Sequence, residues 1–151
     1  MTTVFVDADA CPVKNEVYRV AGRHGCPVKM VANSRMAVPN DATVELVVVG
    51  DGFDEADDWI VERVEPDDVV VTDDIPLAAR CLKKGARALT PKGRVFSEAS
   101  IGEALASREV LSQLREEGLV RGGPPAYRER DRSAFLQRLD ETLHACRRGR
   151  G

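Results

Sequence analysis

Val4-Phe5-Val6-Asp7-Ala8-Asp9-Ala10-Cys11-Pro12-Val13-Lys14 is the stretch on which the reading of this chain turns. The consecutive β-prone apolar residues Val4 to Val6 read as a strand buried on both faces, and the acidic residues beyond them end it. Pro12, favoured in a first helical turn, opens a helix whose apolar residues Val13, Val17, Val20 and Ala21 recur at helical spacing, and Gly25 follows its end. Strand, acidic turn and helix in that order form the first half of a βαβ unit, so a mostly parallel sheet covered by helices is expected.

The alternation continues outward. Further strands are expected at Val28 to Ala32, Val44 to Val49, Val69 to Val71 and Ala86 to Leu89. Ala56, Ile60, Val61 and Val64 form a second apolar stripe, and Pro76 opens a third helix that should bury Ala78, Cys81 and Leu82. Ser34 to Thr43, with Pro39 and Asn40, is short for a helical crossover between parallel strands, and that connection is left open. Ser100 and Glu103 form an S-x-x-E capping box before Ile101, Ala104, Leu105, Leu111 and Leu114, so a long helix to about Glu117 is expected. Gly118 stops it. Gly122-Gly123-Pro124-Pro125, with Arg121, Arg128, Arg130 and Arg132, reads as an irregular loop. Phe135, Leu139 and Leu143 support a last helix before a frayed tail at 147–151.

The chain of 151 residues suits one domain, 1–151, with a helical C-terminal portion from about residue 100. Apolar residues at 43%, charged residues at 31% and a mean hydropathy of -0.27 exclude disorder and describe a soluble globular protein. No apolar run approaches the roughly 20 residues that span a bilayer, and the start lacks a signal-peptide pattern, so no membrane partner and a cytoplasmic location are expected. Cys11, Cys26, Cys81 and Cys146 lack CxxC spacing and read as reduced thiols, Cys11 as a packed or capping one. His24 and His144 read as isolated surface or partly buried side chains, and Trp59 likewise. Charge is uneven: residues 1–90 carry 10 Lys+Arg against 16 Asp+Glu, while 91–151 carry 12 against 9. That is not a single nucleic-acid stripe.

The acids fall in clusters beyond expected strands. Asp7 and Asp9 follow the first strand, Asp51, Asp54, Asp57 and Asp58 the third, Asp73 and Asp74 the fourth. Ligands of parallel α/β sheets bind outside the carboxyl ends of the strands, so these clusters can converge. Each also precedes a helix, where one aspartate caps amides for roughly 0.3–2 kcal/mol. Capping explains one acid per helix and leaves the pairs unexplained. Two charges about 5 Å apart at an effective dielectric of about 20 repel by roughly 3 kcal/mol, so a gathered cluster needs a cation or raised pKa values. With only oxygen ligands at hand, Mg²⁺ or Mn²⁺ fits and zinc does not. Such an ion activates water and neutralises charge on phosphate, which makes phosphodiester hydrolysis the natural reaction, with no protein nucleophile. Lys14, Asn33, Arg35, Lys92 and Arg94 are candidate phosphate contacts, with the 121–132 loop as a second candidate. The 5% aromatic content offers few stacking platforms, so RNA or DNA would be held by its backbone.

Val6-Asp7-Ala8-Asp9-Ala10-Cys11-Pro12-Val13-Lys14 resembles the opening of the YaiI/YqxD family of bacterial proteins of unknown function. Val31-Ala32-Asn33, Gly52-Phe53-Asp54-Glu55-Ala56-Asp57, Thr72-Asp73-Asp74-Ile75-Pro76-Leu77-Ala78-Ala79, Gly122-Gly123-Pro124 and Arg130-Asp131-Arg132 resemble its later blocks in the same order. The resemblance implies a PIN-like fold, a three-layer α/β domain used by metal-dependent nucleases. By motif position, Asp7, Asp9, Asp54, Asp57 and Asp74 match the family's acids, whereas Asp51 and Asp73 stand where relatives are expected to carry an apolar or small residue. Nuclease activity is implied by the wider superfamily only. Two alternatives stand beside it. One is a metal- or RNA-binding regulatory module without turnover. The other is a phosphatase of the haloacid dehalogenase type, which shares the D-x-D motif and a motif like Gly50-Asp51-Gly52, with Asn33-Ser34 as a hydroxyl source. Against it, the expected Lys between Ser34 and Asp51 is absent, and Pro12 starts a helix where that family inserts a flap.

Overall fold

The computed structural model describes residues 2–9, 11–50, 52, 54–103 and 127–150, the last four of these as backbone only. Five strands form a single sheet: β1 (Val4–Asp7), β2 (Val28–Ala32), β3 (Val44–Val48), β4 (Val69–Val71) and β5 (Arg87–Leu89). All four pairings are parallel, in the order β3-β2-β1-β4-β5. The helices are α1 (Lys14–His24), α2 (Glu55–Arg63), α3 (Ile75–Lys83), α4, followed over residues 98–103, and α5 (Glu129–Arg150). No helix among the described residues is long and apolar enough to cross a membrane.

Period-two alternation sorts each strand between two layers. Val4, Val6, Val28, Met30, Val69 and Val71 face α1 and α5, where they meet Val17, Val20, Phe135, Leu139 and Leu143. Phe5, Val31 and Val70 face the other way, onto Ala56, Ile60 and Val64 of the α2 region and Leu77 and Cys81 of α3. A smaller cluster joins Ala78, Ala88 and Ile101 of α4. The result is a three-layer α/β fold, and β1 and β4 are uninterrupted apolar runs because both of their faces are covered.

Several local expectations need correction. The buried face of α3 is Leu77, Ala78 and Cys81, while Leu82 is only partly buried against the smaller cluster. The cap of α4 is Ser97, not Ser100: Ser100 N donates to Ser97 Oγ at 3.1 Å and Ser97 N donates to Ser100 Oγ at 2.8 Å. A serine at the third helical position reciprocates as a glutamate would, which moved the box three residues upstream of the S-x-x-E match. Arg130 and Arg132 lie on α5 and not in a loop. Arg121, Gly122 to Pro125 and the helix expected up to Glu117 fall outside the described residues. Between β2 and β3 the chain crosses over without a helix, and Met36 and Val38 pack onto the core in its place.

After β5 the chain doubles back. Val95 bridges Leu89 in antiparallel fashion, and Thr90 N donates to the Arg94 carbonyl at 2.9 Å. Gly93 at the tip has φ +86°, and a Cβ there would lie 2.7 Å from the Ala134 carbonyl carbon on α5. Backbone cannot swing aside as a side chain can. Gly93→Ala is expected to cost about 2 kcal/mol or more and lower Tm by roughly 4–8 °C, and an unchanged melting curve would refute this close approach.

Candidate functional site

The sheet order reverses between β1 and β4, which makes the space beyond their carboxyl ends the switch-point crevice of the fold. Register decides what meets there. Val6 pairs with Val71, so the next residues, Asp7 and Thr72, stand side by side. Thr72 Oγ1 donates to Asp7 Oδ2 at 3.0 Å and accepts from Asp74 N at 2.9 Å. Asp74 Oδ1 accepts from Leu77 N at 2.9 Å, so Asp74 caps α3 while it takes part in the crevice. Asp9 is held from the other side, accepting from Asn33 N beyond β2 at 3.1 and 3.4 Å. Thr72 is buried, and it was missed in the sequence; its signal was a hydroxyl residue between a buried strand and an Asp pair.

Asp54 and Asp57 arrive on α2. Asp54 occupies the N-cap position at φ 65°, yet its side chain caps no amide. Capping therefore explains Asp74 and fails for Asp54. Glu55 Oε2 accepts from Gly50 N at 3.1 Å. A Cβ at Gly50 would fall 2.7 Å from that oxygen, and at Gly52 3.0 Å from Oε1, so a side chain at either position would displace the Glu55 carboxylate. Asp51 lies outside the described residues.

Charge ties these elements together. Burial pushes the Asp57 carboxyl up to about 6, helped by the negative fields of Asp74, Asp7 and Asp54 and opposed by Arg80. Asp7 is also raised, first by burial, against the lowering hydrogen bond from Thr72, and further by Asp74, Asp9 and Asp73. Asp57 thus feels Asp74, Asp7 and Asp54, and Asp7 feels Asp74, Asp9 and Asp73, so the fields of three strand ends overlap through Asp7 and Asp57. A cavity of about 300 Å³ is lined by Asp7, Asp9, Cys11, Thr72, Asp73, Asp74 and Pro91. Among the described residues, no three of the aspartates bring carboxylate oxygens within 4.8 Å of one another. Their all-oxygen chemistry suits a hard divalent cation.

The basic candidates divide. Lys14 and Lys92 are close enough to act on Cys11 and Asp73, both of which line the crevice. Arg94 lines an adjoining hollow with Asp73, Thr90 and Ser100, and the Asn33 amide already holds Asp9. Arg35 is exposed in the β2–β3 crossover, and nothing ties it to the carboxylates. Arg132, read from sequence as a loop arginine, lies 3.5 Å from Glu16 of α1 instead. Burial pushes the Cys11 thiol up, in keeping with a packed thiol and not a nucleophile. The two histidines are not isolated: His24 and His144 stack edge to face at 4.6 Å, because α1 and α5 pack together.

A carboxyl whose pKa is raised by folding favours the folded state below its unfolded value and loses that advantage as pH climbs through the folded value. For Asp57 the window runs from about 4 to about 6, so the metal-free protein should lose stability across it. Asp57→Asn is expected to raise the metal-free Tm at pH 7 by roughly 2–4 °C, about 1 kcal/mol after solvent screening, with the gain vanishing below pH 4. A lower Tm at pH 7 would instead mark Asp57 as a structural acid.

The sequence model of the uncharacterised YaiI/YqxD family matches residues 5–145. A UPF0178 protein of Rhodopseudomonas palustris (strain BisB18) is 54% identical over 147 residues, covering 97% of this chain and 95% of its own. UPF0178 protein bll3966 of Bradyrhizobium diazoefficiens is 54% identical over 149 residues, covering 99% and 89%. A UPF0178 protein of Nitrobacter winogradskyi is 50% identical over 145 residues, covering 96% and 92%. No solved structure matches the chain. With the family match spanning nearly its whole length, this chain belongs to the YaiI/YqxD family.

Proposed function

We propose that this protein is a PIN-like, Mg²⁺- or Mn²⁺-dependent nuclease that hydrolyses phosphodiester bonds of RNA or DNA in the cytoplasm. The observation that carries this reading is the gathering of acids at the switch point, where Asp74, Asp7 and Asp54 add to the burial that pushes Asp57 up to about 6 and Asp74 and Asp9 add to the burial that raises Asp7. These five residues would hold the ion. A divalent cation there lowers the pKa of water and neutralises charge that develops on a phosphate. Thr72 holds Asp7 in place, and Asn33 holds Asp9. Lys14 and Lys92, near enough to act on Cys11 and Asp73 of the crevice, would contact the phosphate backbone.

A second reading is favoured by one feature. Among the described residues no three of the aspartates bring carboxylate oxygens within 4.8 Å of one another, which suits a module that binds a hydrated ion without turnover. The reactions separate cleanly. Labelled RNA and DNA panels with Mn²⁺ should be cleaved by wild type and at least about 100-fold more slowly by Asp7→Asn or Asp74→Asn. Mn²⁺ binding without cleavage anywhere in the panel would leave the binding module, and turnover of p-nitrophenyl phosphate would favour the phosphatase. If both variants bind Mn²⁺ as wild type does, the aspartates are not the ligands.

Thr72 provides an independent check. Thr72→Val keeps the shape and removes the hydroxyl that supports Asp7, so Mn²⁺ affinity is expected to fall about 10-fold or more by calorimetry. Thr72→Ser, which restores the donor, should recover most of it.

A further inference from the structure

His24 is the last residue of α1, and Asp140 and His144 stand one turn apart on α5. The three offer ligand atoms that all lie within 4.8 Å of one another. His24 Nε2 is 2.7 Å from Asp140 Oδ1, and His144 Nε2 is 3.8 Å from Asp140 Oδ2. Each imidazole thus presents the same nitrogen to a different oxygen of one carboxylate. The His24 side chain is only 3% exposed, whereas Asp140 and His144 are 33% and 55% exposed, so the group is walled on one side and open on the other. A hydrogen bond that fastens α5 to α1 needs one imidazole. The second, set edge to face against the first at 86°, is left over by that explanation.

From this convergence we infer that His24, Asp140 and His144 form a binding site for a borderline transition-metal ion, with Zn²⁺ as the best match. Two imidazole nitrogens and one carboxylate oxygen are three of the four ligands that a tetrahedral zinc ion takes, and the exposed side leaves the fourth position to water or a small ligand. The 2.7 Å contact has to open slightly, and His24 has to bind as the tautomer protonated at Nδ1, which leaves the Nε2 lone pair for the ion. Arg23 Nη1 lies 3.8 Å from Asp140 Oδ1, and its largely exposed side chain can swing into solvent when the ion enters. The site is independent of the aspartate crevice. It stands at the opposite end of α1, one helix length or about 16 Å away, and it selects softer ions than an all-oxygen cluster does.

The test titrates the full chain, stripped with a chelator, with Zn²⁺ and separately with Mn²⁺ by calorimetry. Wild type should bind Zn²⁺, His144→Ala should bind it at least about tenfold more weakly, and Asp57→Asn should leave the affinity within about twofold. His144 is exposed, so its removal leaves the core between α1 and α5 in place. Mn²⁺ binding reads the aspartate crevice on the same variants, so failure of that site and failure of this one give different results. Co²⁺ substitution in wild type gives a second readout, since a tetrahedral site with nitrogen ligands absorbs strongly in the visible and a hydrated all-oxygen site does not. No Zn²⁺ binding by wild type, unchanged binding by His144→Ala, or weak Co²⁺ absorption would each overturn the site and leave the group as a hydrogen-bonded fastening between helices.

Discussion

The parallel pairing of β1 with β4 is the constraint on which the molecule depends. Both strands are apolar on both faces and lie at the centre of the sheet, so slipping one past the other would turn core side chains out of their layers. With Val6 locked against Val71, the first polar residues on each strand must emerge together, which sets Asp7 beside Thr72 and brings the Asp74 cap of α3 to the same rim. Core packing thereby decides the position of groups that contribute nothing to the core.

Concentrating acids at one rim opposes stability, and the local structure limits the cost unevenly. Asp74 is compensated by an α3 amide and Asp9 by the Asn33 amide, both fixed donors. Asp7 has a single hydroxyl, and Asp57, which faces three other acids, relies on Arg80, whose own closest partner is Asp58 at 2.9 Å. The residues least compensated by protein groups are those that would gain most from a cation, consistent with local instability kept for a site. Asp68 is the contrast. At the other end of the sheet its carboxylate accepts from Thr3 N and Glu65 N, both at 2.9 Å, and ties the start of β1 to the start of β4 through fixed backbone donors.

All five strands were legible in the sequence because short apolar, mostly Val-rich runs between turn residues have few other readings, and α1 was legible from its apolar spacing and Gly25. The convergence of the acid clusters was legible from topology alone, since parallel strands put their carboxyl ends on one side. Features that depend on relations between distant residues were not. Thr72 acquires its role only through the β1–β4 register, and the histidines, 120 positions apart in sequence, meet only because α5 returns to the layer of α1. The capping box was misplaced because two serines three residues apart offer the same chemistry as Ser with Glu, and periodicity does not choose between them.

The position of α5 bears on how the protein is made. Phe135, Leu139, Leu143 and Cys146 complete the layer over Val4, Val6, Val69 and Val71. While a ribosome is still translating the chain, the sheet can pair and gain α2 and α3 on one side, but the opposite side stays half bare until this helix leaves the exit tunnel. Commitment to the native state therefore waits for the last described segment, and a nascent chain stalled before it would present an oily surface to chaperones and proteases.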